Sequence, residues 1–434
     1  MLLPFKFAIL QLILLVALNT YSQKPHIIYI MTDDMGYADL SCYGGKKIVT
    51  PNIDRLSTQG IMFMQAYAAA PVCTPTRVAF MTGRYPARTP AGLKEPLTPV
   101  QKDSAVGLSG SYPSIATMIK SAGYKTALIG KWHLGFLPEY SPGKNGFDYF
   151  FGIHSGAADF ISHKGDGRRH DLHENENPVY PKGYLTDLFT RKAIDYIKKP
   201  HTDPFFLALN YTAPHWPWQG PTDKAYDDTV DFRKGGSPAI YAAMMKSLDD
   251  GIGQIMQALE EENLSGNTLI IFTNDNGGER YSDNGAFSNG KMSLWEGGIR
   301  VPAIVRWPGK IQAGIITNQP AITMDWTATI LATAGAKPHP DFPLDGIDLM
   351  PICTGTKKEM GRTFYWRIFQ RAKQKAIREG NWKYLKVENE EYLFDLSVDP
   401  GEKTNLKKND AEIFNRLKNQ FEQWEKKVLT PVPL

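Results

Sequence analysis

The chain is poor in cysteine. It has three, Cys42, Cys73 and Cys353, which excludes a fold stapled by disulfides. Only Cys42 and Cys353 are candidates for a pair, and two small buried thiols is the plainer reading of them. Charge of one dominant sign is also missing. The formal balance of +4 is too small to argue for a nucleic-acid partner. Past the first residues there is no apolar run of membrane-spanning length, no internal repeat and no low-complexity linker. The first residues, "MLLPFKFAILQLILLVALNTYSQ", have one Lys, an apolar stretch from Phe7 to Ala17 and then small and polar residues. They predict a secretory signal peptide over 1–22, and therefore an exported protein, periplasmic or secreted, with no stable membrane anchor.

About 410 residues remain, the size of one large domain plus a smaller one. Strand-like and helix-like segments alternate along most of them. "HIIYIMTDD" reads as a buried strand. "TPNIDRLSTQG" reads as a helix with Thr50 as its cap, Pro51 in the first turn and Gly60 at its end. "YKTALIG", "PFFLALNY" and "TLIIFTND" are strands that each follow a helical segment. This alternation predicts an α/β fold with a mostly parallel central sheet flanked by helices over 23–360. After about Gly361 the pattern changes to "TFYWR", "QKAIREGNWKYLKV" and "EYLFDL", then a helix from Ala411 to Val428. That change predicts a smaller C-terminal α+β subdomain over 361–434 containing an antiparallel sheet.

Polar residues gather at strand ends. Asp33 and Asp34 end the first strand, Lys131 and His133 follow "TALIG", His215 follows "FFLALNY", and Asp275 and Asn276 follow "LIIFT". Ligands of open parallel sheets bind beyond the carboxyl ends of strands, so four strands deliver polar groups to one rim. Taken singly, an Asp-Asp pair is more often a turn and a lone His more often structural; their coincidence at one rim shifts the balance. Asp33, Asp34, Asp275 and Asn276 form a hard-oxygen set suited to Ca²⁺ or Mg²⁺ rather than Zn²⁺. Clustered carboxylates without a cation would repel, so either a divalent cation sits among them or they are not neighbours. Arg77, Lys131, Lys291 and the two histidines form a cationic set able to hold a small oxyanion.

The stretch "PVCTPTRVAFMTGR" places Cys73 ahead of Pro75 and Arg77. "CTPTR" with downstream "MTGR" resembles the sulfatase signature. "IYIMTDDMGYADLSCYG", "TPNIDRLSTQGIMF", "GKWHLG", "APHWP", "FTNDNGG", "GKMSLWEGGIRVP" and the C-terminal "LFDLSVDPGEKTNL" follow the same order. The chain thus resembles the formylglycine-dependent sulfatases of the alkaline phosphatase superfamily, with secreted carbohydrate sulfatases and arylsulfatases among them. The resemblance implies an alkaline-phosphatase-like fold and a sulfuric ester hydrolase. It implies that a maturation enzyme converts Cys73 to formylglycine (3-oxoalanine), whose hydrate attacks sulfur with one hydroxyl and releases sulfate with the other. It assigns Asp33, Asp34, Asp275, Asn276 and modified Cys73 to one Ca²⁺, and Arg77 to the aldehyde hydrate and nearby carboxylates. By the same resemblance His133 takes the hydrate's second proton, Lys131 and Lys291 bind sulfate oxygens, and His215 protonates the leaving alcohol. Thr76 stands where the family often has Ser; a hydroxyl is retained.

The implied partner is a sulfated sugar or polysaccharide. Two other readings stay open: a formylglycine-dependent hydrolase of phosphonate or phosphate esters, and an exported, non-catalytic binder of anionic polysaccharide. The context of "GKWHLG" and "APHWP" favours sulfate. Trp216 and Trp218 read equally as packing or as sugar-stacking residues. His163, Arg168, Arg169, His170 and His173 lie in the long polar segment "HKGDGRRHDLHENENPVYP", read as a solvated loop or, if they act, as readers of carboxylates or further sulfates of a polymer.

Overall fold

The computed structural model describes residues 24–99, 105–370 and 373–431; the predicted leader over 1–22 lies outside them. The strand His26–Thr32 is buried along almost its whole length. It pairs in parallel with Phe205–Asn210 on one side and Thr268–Asn274 on the other. Its alternate side chains enter two different cores. Ile28 and Ile30 pack toward the helices Leu185–Lys198 and Pro238–Glu261. Ile27, Tyr29 and Met31 pack toward the helices Cys73–Thr82, Ile115–Lys120 and Thr323–Ala334. A sheet covered on both faces needs apolar side chains at every strand position, which is why "HIIYIMT" is a run rather than an alternation.

Among the described residues the main sheet has eleven strands. Its order is Ile315–Thr317, Ile61–Tyr67, Arg300–Arg306, Thr268–Asn274, His26–Thr32, Phe205–Asn210, Lys125–Lys131, Tyr149–Ile153, Leu172–Glu174 and Asn177–Pro178, with Ala321–Ile322 also on Ile61–Tyr67. Two strands, Arg300–Arg306 and Leu172–Glu174, run against the rest. The latter and Asn177–Pro178 come from the segment read above as a loop; they form an antiparallel edge too short and too polar to leave a periodic signal. A second sheet, Thr363–Ile368, Gln374–Glu379, Trp382–Val387 and Glu390–Asp395, is antiparallel throughout. The helix Ala411–Glu425 packs on it through Phe414, Leu417, Phe421 and Trp424.

Some local readings take a different physical form. Thr50 does precede the helix Pro51–Thr58, but its hydroxyl makes no cap bond to the backbone. It donates to Asp54 Oδ1 and accepts from the Ser41 amide instead. Gly60 follows the helix because a Cβ there would run into the Val305 carbonyl of the neighbouring strand. Among the described residues no cysteine is disulfide-bonded; Cys353 is buried in one core and Cys42 packs against the other. No helix of the described residues is long and apolar enough to cross a membrane.

Candidate active site

Cys73 is the first residue of the helix Cys73–Thr82, with Val72 extended before it and Gly83 closing it in the left-handed conformation. Each residue of "CTPTR" has a structural task. Thr74 Oγ1 donates to the His133 carbonyl and accepts from the Leu97 amide. Pro75 sits in the first turn, where an amide hydrogen has no intrahelical partner to lose. Thr76 Oγ1 accepts from the Ala70 amide and donates to the Ala70 carbonyl, folding the approach to the helix back on it. Arg77 lies one turn below Cys73 and reaches the carboxylates. The helix N-terminus points its free amides and positive dipole end at residue 73, a setting that favours negative charge.

The strand ends bring the other predicted residues into one buried ring. Lys131 Nζ lies 2.6 Å from Asp33 Oδ2, and Lys291 Nζ lies 2.6 Å from Asp34 Oδ2. Arg77 Nη2 spans Asp275 Oδ2 at 3.0 Å and Asp33 Oδ2 at 3.5 Å. Asn276 Nδ2 donates to Asp34 Oδ1 at 2.8 Å, and His215 Nε2 stands 3.5 Å from Asp34 Oδ2. Asp34 and His133 both have positive φ, at 65° and 55°, a conformation that non-glycine residues adopt only when the surroundings enforce it. Gly130 lets the strand carrying Lys131 come close to its neighbours: a Cβ there would run into the Asn210 carbonyl. The carboxylates are therefore neighbours, and what separates their charges is protein: Arg77, Lys131 and Lys291 are threaded between them.

The balance is uneven. Burial works against the ionised form of Asp33, but the cations Lys131 and Arg77 outweigh it and hold the group well below the usual carboxylate range. Asp34 is likewise lowered against its burial, chiefly by Lys291. Asp275 is pushed far up by burial and by the charge of Asp33, with Arg77 opposing. Two buried oxygens of the set, Asp33 Oδ1 and Asn276 Oδ1, have no hydrogen-bond partner among the described residues. A poorly compensated carboxylate and two open oxygen donors fit a hard divalent cation. Asp33, Asp34 and His215 each offer an atom within 4.8 Å of the others, so the imidazole stands closer to this centre than an all-oxygen ligand set implies.

Above the ring opens a cavity of about 390 Å³ lined by Cys73, His133, His215 and Lys291 among others. Both imidazoles have a defined proton position. His133 Nε2 lies 2.8 Å from the Leu97 carbonyl and so carries its hydrogen there; Nδ1 has no partner among the described residues. His215 Nδ1 lies 2.6 Å from the Trp216 carbonyl, which leaves Nε2 as the open lone pair. Burial, with Lys131 for His133 and Lys291 for His215, lowers both to about 3, so both are neutral at neutral pH. Gly156 makes room for the His133 ring, which a Cβ would meet at 2.6 Å.

The cavity walls hold residues that sequence reading passed over: Asp166, Asp231, Phe232, Arg233 and Glu279. Glu279 Oε2 lies 3.4 Å from Lys291 Nζ, and burial with the charge of Asp34 pushes its carboxyl up to about 7. The two tryptophans part ways. Trp216 lines the cavity, whereas Trp218 is buried and packs edge-on against Tyr281. The histidines of the polar segment are structural: His163 Nε2 bonds the Gly183 carbonyl, His170 Nε2 the Val179 carbonyl, and His173 Nδ1 the Asp171 carbonyl.

A family model described as Sulfatase matches residues 25–336, and one described as N-sulphoglucosamine sulphohydrolase, C-terminal, matches residues 285–427. Human N-acetylgalactosamine-6-sulfatase is 33% identical over 368 residues, 80% of this chain and 69% of that protein. Human steryl-sulfatase is 32% identical over 426 residues, 79% of this chain and 72% of that protein. The crystal structure of Ps i-CgsB in complex with k-i-k-neocarrahexaose superposes with a TM-score of 0.84 at 32% identity, covering 95% of both chains. The chain belongs to the sulfatase family and is a sulfuric ester hydrolase.

Proposed function

We propose that this sulfatase removes sulfate from a sulfated carbohydrate, with Cys73 matured to formylglycine and one Ca²⁺ held by Asp33, Asp34, Asp275, Asn276 and modified residue 73. The observation that carries the reading is the position of Cys73. It starts a buried helix, lines an open cavity, and has Arg77, Asp275 and Lys291 within electrostatic reach. A thiol alone gives a poor route to turnover; a hydrated aldehyde at this position supplies two hydroxyls on one carbon, one to attack sulfur and one to expel sulfate. A bound Ca²⁺ supplies Lewis acidity toward a sulfate oxygen. The relatives named for N-acetylgalactosamine-6-sulfate and the neocarrahexaose complex support a sugar as the alcohol. The segment 1–22 and the "CTPTR" motif support export and recognition by a formylglycine-generating enzyme, and 23–360 is read as the catalytic domain with 361–434 as its companion.

The chain's own residues then divide the work. Lys291 lines the cavity and meets sulfate oxygens as it arrives; Lys131 is fully buried and acts from below, through Asp33. His133 offers Nδ1 as the acceptor for a proton. His215 faces the departing alcohol with a bare Nε2, so it must first take a proton before it can give one. The negative charge of a bound sulfate ester favours that uptake by Coulomb attraction. Electrostatic groups already in place supply most of a barrier reduction on the order of 20 kcal/mol.

The test is chemical. After co-expression with a maturation enzyme, peptide mass analysis should find residue 73 as the aldehyde, and 4-nitrophenyl sulfate should be cleaved far faster than 4-nitrophenyl phosphate. Cys73→Ala should abolish turnover, and a chelator should remove activity that Ca²⁺ restores. Full activity with an unmodified thiol, or in metal-free protein, would sink the corresponding half of the reading.

A further inference from the structure

A second cavity of about 420 Å³ adjoins the first. Asp166 lines both, and the wall between them is made of chain neighbours: Thr98 and Gly156 face the first, Pro99 and Ser155 the second. The loop that carries Asp166 is fastened. Isolated bridges join Ala158 to Gly165 and Lys164 to His170. Lys164 Nζ holds both carboxylate oxygens of Asp228 at 2.8 Å. The Arg168 guanidinium sits 3.9 Å above the Phe232 ring and donates to the Val230 carbonyl.

In the second cavity most polar groups are already engaged. Asp171 accepts from the His154 and Ser155 amides and from Ser155 Oγ. His170 bonds the Val179 carbonyl. Two groups are not engaged. The Arg169 guanidinium has no hydrogen bond or ion pair among the described residues, although it lines the cavity. Asp166 Oδ1 is buried with no partner among the described residues. One is a planar donor of fixed charge, the other an acceptor, and they stand on the same short loop. A buried acceptor left open on a wall between two cavities is what a hydroxyl-bearing ligand satisfies, and a free guanidinium is matched by an oxyanion.

We infer that the second cavity is a binding site for the sugar next to the one that loses its sulfate, with Arg169 reading an oxyanion on that neighbour and Asp166 accepting from a hydroxyl. This rests on the proposed sugar substrate and narrows it: the substrate is an oligomer bearing at least two anionic groups, and only one of them is removed at Cys73. The oxyanion is a sulfate or a carboxylate, which share this chemistry. Arg169 is a specificity residue; it lines the second cavity and not the one that holds Cys73.

Three probes separate the outcomes: 4-nitrophenyl sulfate, a carrageenan hexasaccharide whose only anions are sulfates, and a chondroitin 6-sulfate hexasaccharide that adds carboxylates. Arg169→Ala should raise KM about tenfold on the hexasaccharide the wild type cleaves, with kcat little changed. Arg169→Lys should recover part of the loss, and Arg169→Glu should deepen it. All three variants should cleave 4-nitrophenyl sulfate like the wild type. A loss confined to the carrageenan substrate assigns a sulfate; a loss confined to the chondroitin substrate assigns a carboxylate. Equal losses on all probes, no loss on any, or a wild type that cleaves 4-nitrophenyl sulfate but neither hexasaccharide, overturns the inference. The sugar reading itself would fail differently, if the matured wild type cleaved no sulfated saccharide of any length, a monosaccharide sulfate included.

Discussion

Two buried charge clusters of this molecule are built to opposite rules. The first is the ring of Asp33, Asp34 and Asp275 with Arg77, Lys131 and Lys291. The second joins the two sheets: Lys383 Nζ lies 2.9 Å from Glu296 Oε1 and 2.8 Å from Glu402 Oε1. Glu296 Oε2 also accepts from Tyr67 at 2.6 Å and lies 3.3 Å from Arg300, while Glu402 Oε2 accepts from the Glu296 amide at 2.6 Å. The second cluster opens on no cavity described above, and each of its carboxylates is paired with a cation, although Glu402 Oε1, 2.8 Å from Lys383 Nζ, makes no hydrogen bond among the described residues. In the ring, Asp33 Oδ1 and Asn276 Oδ1 are left open beneath a cavity, and Asp275 is poorly compensated. Closed clusters stabilise a fold; a cluster left incomplete holds a place for something that arrives. The contrast predicts that substitutions in the ring region change rate and those in the second cluster change stability.

The largest expected effect is on rate, at His215. A nitrophenol leaves without help, whereas a sugar alkoxide needs a proton. His215→Ala should therefore harm a sugar sulfate more than an aryl sulfate, by about 10²–10⁴-fold, the usual range for general acid catalysis. Urea unfolding of the variant should stay close to that of the wild type. The measurement is the ratio of kcat/KM for the two substrates. Equal losses on both, with Ca²⁺ still bound, would leave His215 as a sulfate-binding residue only.

The two clusters also differ in how far they can be read in the sequence. The ring was legible because a parallel sheet sends strand ends to one rim, so Asp33, Lys131, His215 and Asp275 could be placed together without knowing a single distance. The order of the strands was not needed. What the sequence hid was the threading: nothing local says that Lys131 pairs with Asp33 and Lys291 with Asp34, because these pairs are 98 and 257 residues apart. The wall residues Asp166, Phe232 and Glu279 come from loops with no period. The second cluster was missed entirely. Lys383 lies in a strand whose pattern predicts exposed polar positions, and its partners Glu296 and Glu402 belong to other elements; only the docking of the small sheet buries it. Similarly, the strands Leu172–Glu174 and Asn177–Pro178 exist because an edge was available to pair with, not because their residues prefer extension.

Next in size is Lys383→Ala. It would leave Glu296 and Glu402 facing each other in the interior, and removing one partner of a buried ion pair costs about 3–5 kcal/mol. The expected result is a lower urea midpoint with an unchanged kcat on 4-nitrophenyl sulfate for the folded fraction. A variant of normal stability would show that Arg300, together with Arg378, which donates to the Tyr67 hydroxyl and lies within electrostatic reach of Glu296, suffices to hold the carboxylates. A stable variant with lost activity would break the division between the clusters altogether.

The smallest effect is a pH dependence inside the second cluster. Burial pushes the Glu402 carboxyl up to about 7 from its ordinary 4.5, with Glu296 reinforcing the rise and Lys383 opposing it. Glu296 goes the other way, down to about 2: burial opposes this, and Lys383 with Arg300 outweighs it. Between pH 4.5 and 7 the folded chain therefore holds a proton at Glu402 that the unfolded chain has lost. Stability from this group is present in full below about 4.5 and is lost as pH rises through 7. Glu296 is ionised in the folded chain across that window, and its titration in the unfolded chain cancels when variant and wild type are compared. Glu402→Gln removes the titration while keeping the side chain's shape and an acceptor for Lys383, which still has Glu296 as counter-charge. The variant should gain about 2–3 kcal/mol on the wild type between pH 5 and pH 8, read as a difference of urea stabilities so that the carboxylates of the ring cancel. A difference that stays flat with pH would mean that Lys383 keeps Glu402 ionised throughout.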